Sequence, residues 1–116
     1  MAYSDYLVER VRQRISDRYH VVEKRMMGGL VFMVNGKMCA AVDKDRKTGD
    51  DRVMVRIGKD RWEAVLQRPG CREMDFTGRS MKGFVFAYPE GFDREEDLDE
   101  LIALALAFNA QLTGMP

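Results

Sequence analysis

The segment Met74–Gly83 carries the densest mixture of side chains that could bind an anion. It holds one acid, Asp75, two bases, Arg79 and Lys82, and two glycines around a turn. Arginine presents a planar fork of donors, lysine a point charge, and backbone amides at such a turn can form an anion-binding nest. We favour a structural alternative, in which Asp75 pairs with Arg79 across the turn and Gly78 supplies a positive φ.

A second segment, Glu23–Gly29, places Arg25 close to a pair of glycines. The pair predicts a tight turn because glycine adopts positive φ without steric cost. Neither a Walker loop nor a G-x-G-x-x-G motif accompanies it, so it is not a phosphate cradle by itself. Together with one cation from a later strand, the two segments give the candidate binding set Arg25, Gly28, Gly29, Arg56, Asp75, Arg79 and Lys82.

Residue types that usually catalyse reactions are scarce. None of the serines stands in a G-x-S-x-G elbow. The single histidine, His20, follows the first predicted helix, where a surface or capping role is expected. Cys39 and Cys71 lack C-x-x-C spacing, and we expect both thiols to be reduced and partly buried. The sequence therefore predicts a protein that is not an enzyme, with no catalytic residue, metal or cofactor.

Composition predicts one soluble domain. The chain has 116 residues, of which 46% are hydrophobic and 33% charged, which excludes a disordered or collagen-like chain. No apolar run approaches the ~20 residues of a membrane span, and the N-terminus does not resemble a secretory signal. Nineteen basic and nineteen acidic residues cancel, which argues against a general polyanion binder. We expect a cytoplasmic location.

Periodicity and turn signals predict the elements that must position these residues. Asn35-Gly36 is the strongest hairpin signal in the chain. The predicted helices are Ser4–Asp17, Lys59–Gln67 and Asp93–Leu112. The predicted strands are Val21–Met27, Leu30–Val34, Lys37–Val42, Arg52–Ile57, Cys71–Phe76 and Met81–Tyr88, with Asp43–Arg52 as an exposed loop. This order predicts an α+β domain, an antiparallel meander sheet flanked by N-terminal, middle and long C-terminal helices.

The last helix favours association, and the charge distribution either fits association as well or reflects charged faces that are simply solvated. Its apolar surface, which includes Leu101, Leu104, Leu106 and Phe108, is wider than one sheet face easily covers, which favours a homodimer. Residues 1–58 carry twelve basic and eight acidic groups, net +4, and residues 59–116 carry seven and eleven, net −4. Such a bipolar chain suits self-association or a charged protein partner.

Nucleic acid remains an alternative partner. The arginines at positions 10, 14 and 18 share one stripe of the first predicted helix, and Lys24 and Arg25 follow. Since the net charge is zero, we expect nucleic-acid binding to be weak or indirect.

Three motifs resemble the TfoX/Sxy family N-terminal domain. Glu23–Gly29 followed by Leu30–Gly36 is similar to that family's opening signature, and Met74–Val85 resembles its second signature. Tyr88-Pro89-Glu90-Gly91 and the closing helix also fit. Met26-Met27-Gly28-Gly29 stands where the family usually has Met-Phe-Gly-Gly, and Ser80 stands where a proline is common.

The resemblance implies an α+β domain linked to regulators of competence for DNA uptake. Full-length members of the family are regarded as transcriptional coactivators that act with the cyclic-AMP receptor protein. This chain ends at Pro116, directly after its last predicted helix, so we expect a single stand-alone N-terminal domain. The resemblance supplies no catalytic residues. It implies a regulatory module that binds a protein partner. The alternative function is that of a domain that binds a small anion or nucleic acid through a basic cluster.

Overall fold

The computed structural model describes residues 3–15, 20–76 and 78–115. The four helices are α1 (Asp5–Ile15), α2 (Lys59–Leu66), α3 (Pro89–Phe92) and α4 (Glu95–Thr113). The six strands are β1 (Val21–Met26), β2 (Gly29–Val34), β3 (Lys37–Lys44), β4 (Asp51–Arg56), β5 (Cys71–Phe76) and β6 (Arg79–Ala87). The predicted α+β class and the order of the main elements are confirmed.

All the strands pair antiparallel in one open sheet, in the order β1-β2-β3-β4-β6-β5. The first four strands follow one another as the predicted meander. The chain then crosses through α2 to the sheet edge as β5 and returns as β6 beside β4. The hairpin predicted at Asn35-Gly36 is present, and both residues have the positive φ that a type I′ turn requires, 50° and 81°.

The main core lies between the helices and one face of the sheet. Alternate strand residues such as Phe32, Val42 and Val55 point into it, together with Val11 of α1 and Leu101 of α4. Directly paired residues of antiparallel strands share a face, so the intervening residues occupy the opposite face. The helix-covered face therefore holds the fold together, and the second face is left as a surface.

Several predicted boundaries are wrong by a few residues. The exposed loop is only residues 45–50, because Asp43 of β3 and Arg52 of β4 are register partners joined by an ion pair. Strand β6 begins at Arg79, and β4 ends at Arg56. A one-turn α3 precedes α4, since Pro89 has the φ that suits a first helical turn. The predicted end of the first helix at Asp17 lies outside the described residues.

Candidate functional site

One row of side chains crosses the sheet on the face opposite the helices. Strand register places Val31 beside Ala41, Ala41 beside Met54, and Met54 beside Phe86. Val31 and Met54 are buried although they lie outside the main core. We call this surface the open face. Its neighbouring rows add Met33, Met38 and Phe84, which are half-buried.

The open face is rich in methionine. Of the eight methionines within the described residues, six lie on this face or at its edge: Met26, Met27, Met33, Met38, Met54 and Met74. Met74, from the β5–β6 hairpin, lies over the face and is buried with Met54. Met26 and Met27 are exposed and line a groove of about 190 Å³ beside these buried methionines. A flexible, polarizable side chain of this kind adapts to irregular partner surfaces.

The β1–β2 turn departs from the predicted glycine turn. Met27 and Gly28 form it with φ of 55° and 77°, and Gly29 is already the first residue of β2. A Cβ on Gly29 would stand 2.5 Å from the carbonyl oxygen of Val42, so this glycine allows β2 to approach β3 closely. The turn therefore holds an exposed methionine in a left-handed conformation that asparagine or glycine adopts more easily.

A hydrogen-bonded cluster closes one end of the open face. The Arg52 guanidinium stacks on the Phe86 ring at 3.8 Å and donates to both carboxylate oxygens of Asp43. The Tyr88 hydroxyl donates to Asp45 Oδ2 at 2.6 Å and accepts from Arg52 Nη1 at 3.2 Å. The hydrogen bond from Tyr88 lowers the pKa of Asp45 below its ordinary value. This cluster fixes the 45–50 loop against the sheet.

A cleft of about 670 Å³ lies at the other end of the open face, where β6, α2 and α4 meet. We call it the basic cleft, because its lining includes four cations, Arg56, Lys59, Arg61 and Lys82, and one acid, Asp60. Its apolar wall consists of Phe84, Leu104 and Phe108.

Arg56 lies near two aromatic rings of this cleft. Its guanidinium carbon stands 5.1 Å from the centroid of Phe84 and 5.7 Å from that of Phe108. Gly58 and Gly83 form a narrow base, since Ile57 and Gly58 both donate backbone hydrogen bonds to the Gly83 carbonyl. A Cβ on Gly58 would come within 2.4 Å of the Phe108 ring. The glycine contact lets the Phe108 ring approach the cleft base, next to the Arg56 guanidinium.

The arginines of α1 have a different environment. Arg10 is buried, donates to Glu95 Oε1 at 2.8 Å from Nε, and donates to the carbonyls of Phe92 and Asp93. Arg14 donates to Asp99 Oδ1 at 2.6 Å and to Glu95 Oε2 at 3.1 Å. These contacts hold α1 against α3 and α4. The phosphate-binding stripe considered for this helix is therefore wrong for Arg10 and Arg14, and Arg18 lies outside the described residues.

The predicted binding residues do not come together at one place. Arg56 and Lys82 come together in the basic cleft. Gly28 and Asp75 line a second open cleft of about 780 Å³ beside the 45–50 loop, where Gly49 and Arg46 also lie. Arg25 and Arg79 are exposed near opposite edges of the sheet, and Gly29 is buried beneath Asp43.

The predicted ion pair between Asp75 and Arg79 does not form among the residues that the structure describes. In the β5–β6 register, Asp75 is opposite Ser80 and Arg79 is opposite Phe76. Sequence reasoning also missed four residues of the basic cleft, Lys59, Arg61, Phe108 and Gln111. The available signal for the first two was a pair of cations directly after Gly58, at the start of a predicted helix.

The cysteines are buried free thiols, as expected. Burial raises the pKa of the Cys39 thiol to about 12 and also raises that of Cys71. Both therefore stay protonated at neutral pH and are weak nucleophiles. Across the part of the chain that the structure describes, no three His, Cys, Asp or Glu side chains are grouped as metal ligands would be.

Comparison with known proteins identifies the family. None of the described helices is long and apolar enough to cross a membrane. No curated protein and no solved structure matches the chain significantly. The family model of the TfoX N-terminal domain matches residues 13–109, which include the β1–β2 turn, the β5–β6 hairpin and most of α4. This chain therefore belongs to the TfoX N-terminal domain family.

Proposed function

We propose that this chain is a non-enzymatic regulatory domain that binds a protein partner through its open face. The observation that carries the proposal is the methionine-rich apolar surface on the sheet face opposite the helices, where Met26 and Met27 are exposed and Met33 and Met38 are half-buried. An apolar surface bordered by charged residues is typical of protein-binding sites. The protonated state of both cysteines also supports a role without covalent catalysis.

The charge around the open face defines the partner's chemistry. Lys24, Arg56 and Arg72 border it, and none of them forms an ion pair with any residue of the described segments. Two copies placed face to face would bring these like charges together, which is unfavourable. The fitting partner is therefore an apolar protein segment that carries acidic residues. Since family members are linked to competence, we propose a transcription regulator, with the cyclic-AMP receptor protein as the first candidate.

The strained turn at Met27 supports the same surface. Its side chain is 51% exposed while its backbone has a φ of 55°. A local conformation that a different residue would adopt at lower cost is typical of functional positions. We attribute the methionine to partner binding, because neither stability nor solubility favours it there.

Methyl NMR of the methionines tests this proposal. Purified cyclic-AMP receptor protein is titrated into the domain labelled with ¹³C-methyl methionine. We expect the Met27, Met33 and Met38 signals to shift or broaden, whereas that of Met115, which is exposed after α4, stays unchanged. Met27→Asn should preserve or raise stability and weaken binding about tenfold. Equal changes at Met115, or unchanged binding by the variant, would contradict the assignment to the open face.

A homodimer is a separate part of the proposal. Leu101 is buried within the chain, and Leu104, Leu106 and Phe108 are half-buried, so α4 leaves less apolar surface than the sequence suggested. The remaining patch centres on Leu112, which is 39% exposed. We expect Leu112→Lys to convert a dimer to a monomer in light scattering. A 13.4 kDa species for the wild type at micromolar concentration would contradict the dimer.

A further inference from the structure

The four cations of the basic cleft share one cavity, and none of them has the carboxylate partner that several other cations of the molecule have. None of Arg56, Lys59, Arg61 and Lys82 takes part in an ion pair among the described residues. By contrast, Arg10, Arg12, Arg14, Lys44, Arg52 and Arg68 each contact a carboxylate. Grouping four positive charges around one cavity is unfavourable by itself, and a bound anion removes that repulsion.

The cleft also has the size and the walls of a ligand site. Its volume of about 670 Å³ lies within the range of small-molecule pockets, roughly 300–1,000 Å³. Phe84 and Phe108 both lie within cation–π distance of the Arg56 guanidinium, with ring centroids 5.1 and 5.7 Å from its central carbon. A guanidinium presents the paired donors that fit two oxygens of a phosphate group.

The surrounding charges favour a small anion over a nucleic acid. A duplex needs cations spread along its backbone, and the α1 arginines that could extend such a track contact Glu95 and Asp99 instead. The acidic first turn of α4, with Glu95, Glu96 and Asp97, gives α4 a negative N-terminal end. Other cations without an ion pair among the described residues, such as Lys24, Arg25 and Arg79, are spread over the sheet, whereas four cations share the basic cleft with the single carboxylate of Asp60.

We propose that the basic cleft binds a small, phosphate-rich anion, such as a polyphosphate or the phosphate chain of a nucleotide. Arg56 binds one phosphate group through its fork, and Lys59, Arg61 and Lys82 neutralise the remaining charge. The apolar wall formed by Leu104 and Phe108 lies beside the phosphates and is available to an apolar or planar part of the ligand. This site is distinct from the protein-binding surface proposed above, although Arg56 and Phe84 border both.

Titration with inorganic tripolyphosphate tests the site, monitored by calorimetry and by amide NMR at about 0.1 M salt. We expect saturable binding with amide shifts at Gly58, Lys59 and Gly83. Lys82→Gln should weaken binding roughly tenfold, since it removes one charge-assisted contact from an exposed position. Arg79→Gln is the matched control, because it removes the same charge from the same strand, away from the cleft, and should leave affinity unchanged.

Three results would overturn the proposal. The first is equal weakening by Lys82→Gln and Arg79→Gln, which indicates attraction to overall charge only. The second is a set of amide shifts centred on the 45–50 loop in place of Gly58 and Gly83. The third is tighter binding of a short DNA duplex than of tripolyphosphate through the same residues, which makes the cleft a nucleic-acid contact. Comparing a nucleoside triphosphate with tripolyphosphate then distinguishes a nucleotide from a free polyphosphate as the ligand, because only a nucleotide should also shift the NMR signals of Leu104 and Phe108.

Discussion

Two arginine-containing regions of this domain look alike in sequence and differ in their surroundings. On α1, Arg10 and Arg14 are satisfied by Glu95, Asp99 and the carbonyls of Phe92 and Asp93. In the basic cleft, Arg56 lies beside the Phe84 and Phe108 rings and has no carboxylate partner among the described residues. Whether an arginine stabilises the fold or is available to a ligand depends on the group that the tertiary structure places next to its guanidinium.

The difference has a physical cause in the position of α4. Its acidic first turn packs beside α1 and neutralises the basic face of that helix. Its apolar C-terminal half packs on the sheet and lines the basic cleft with Leu104 and Phe108. One helix thus supplies carboxylates to the first region and only apolar or amide side chains to the second. The hydrogen bonds from Arg10 and Arg14 correspondingly lower the pKa of Glu95.

The largest expected effect is that of Arg10→Ala. The change removes a buried guanidinium and leaves the Phe92 and Asp93 carbonyls without their donor. We expect the free energy of unfolding to fall by about 3 kcal/mol in urea denaturation. Arg79→Ala, at an exposed position without an ion pair among the described residues, should change it by less than about 0.5 kcal/mol. Similar values for the two variants would remove the distinction between paired and unpaired arginines.

The next effect concerns the shape of the basic cleft. Gly58→Ala places a Cβ within 2.4 Å of the Phe108 ring at a φ of 85°, so both the backbone and the ring must shift. We expect a loss of about 2 kcal/mol in the free energy of unfolding. Gly49→Ala is the control, because its φ of 78° is similar and its Cβ would meet nothing within 4 Å.

The control should lose only about 1 kcal/mol, which is the conformational part of the cost. The difference between the two alanine variants then measures the contact with Phe108. If Gly58→Ala and Gly49→Ala were equally destabilising, the close packing of Phe108 against the cleft base would be wrong.

Local signals in the sequence explain why most of the fold could be predicted. Asn35-Gly36 identifies a type I′ hairpin from two residues, and alternation in β4 identifies its buried face. The position of β6 between β4 and β5 depends on a crossover that no local signal specifies. The turn at Met27-Gly28 was missed for a similar reason, because the approach of Gly29 to Val42 is a contact between distant residues.

The candidate site was harder to predict than the fold. Arg56 and Lys82 were candidates from their residue types, yet Phe108 joins them only because α4 returns to that edge of the sheet. The burial of Arg10 was not predicted, since helical spacing shows which residues share a face and says nothing about the opposing helix. Sequence therefore supplied the cations, and tertiary structure decided which of them are free.

Arg52 combines features of the two regions, because it forms an ion pair with Asp43 and also stacks on the Phe86 ring. The substitution Tyr88→Phe tests the hydrogen-bonded cluster around it. The change removes the hydrogen bonds from the Tyr88 hydroxyl to Asp45 and from Arg52 to that hydroxyl. We expect a loss of about 1 kcal/mol at neutral pH. Tyr6→Phe is a suitable control, since Tyr6 is 77% exposed.

The same variant has a defined pH dependence. Tyr88 lowers the pKa of Asp45, so this carboxylate stabilises the fold above its unfolded-state pKa of about 4, and the stabilisation is lost as pH falls through the lowered pKa. The stability difference between wild type and Tyr88→Phe should therefore shrink in acid. Thermal unfolding between neutral pH and about pH 2 measures it, and a difference that grew in acid would contradict the hydrogen bond to the ionised carboxylate.

The smallest effect is expected in the β5–β6 hairpin, where Asp75 and Arg79 are exposed and are not register partners. Asp75→Ala and Arg79→Ala should each change the free energy of unfolding by less than about 0.5 kcal/mol. Because no ion pair joins them in the structure, a double-mutant cycle should give a coupling energy near zero, within the ~0.3–0.5 kcal/mol of independent sites. A coupling of about 1 kcal/mol would instead restore the ion-paired turn that the sequence favoured. Arg79 would then be a poor charge-matched control for Lys82, and Arg25, exposed on the opposite edge strand, would replace it.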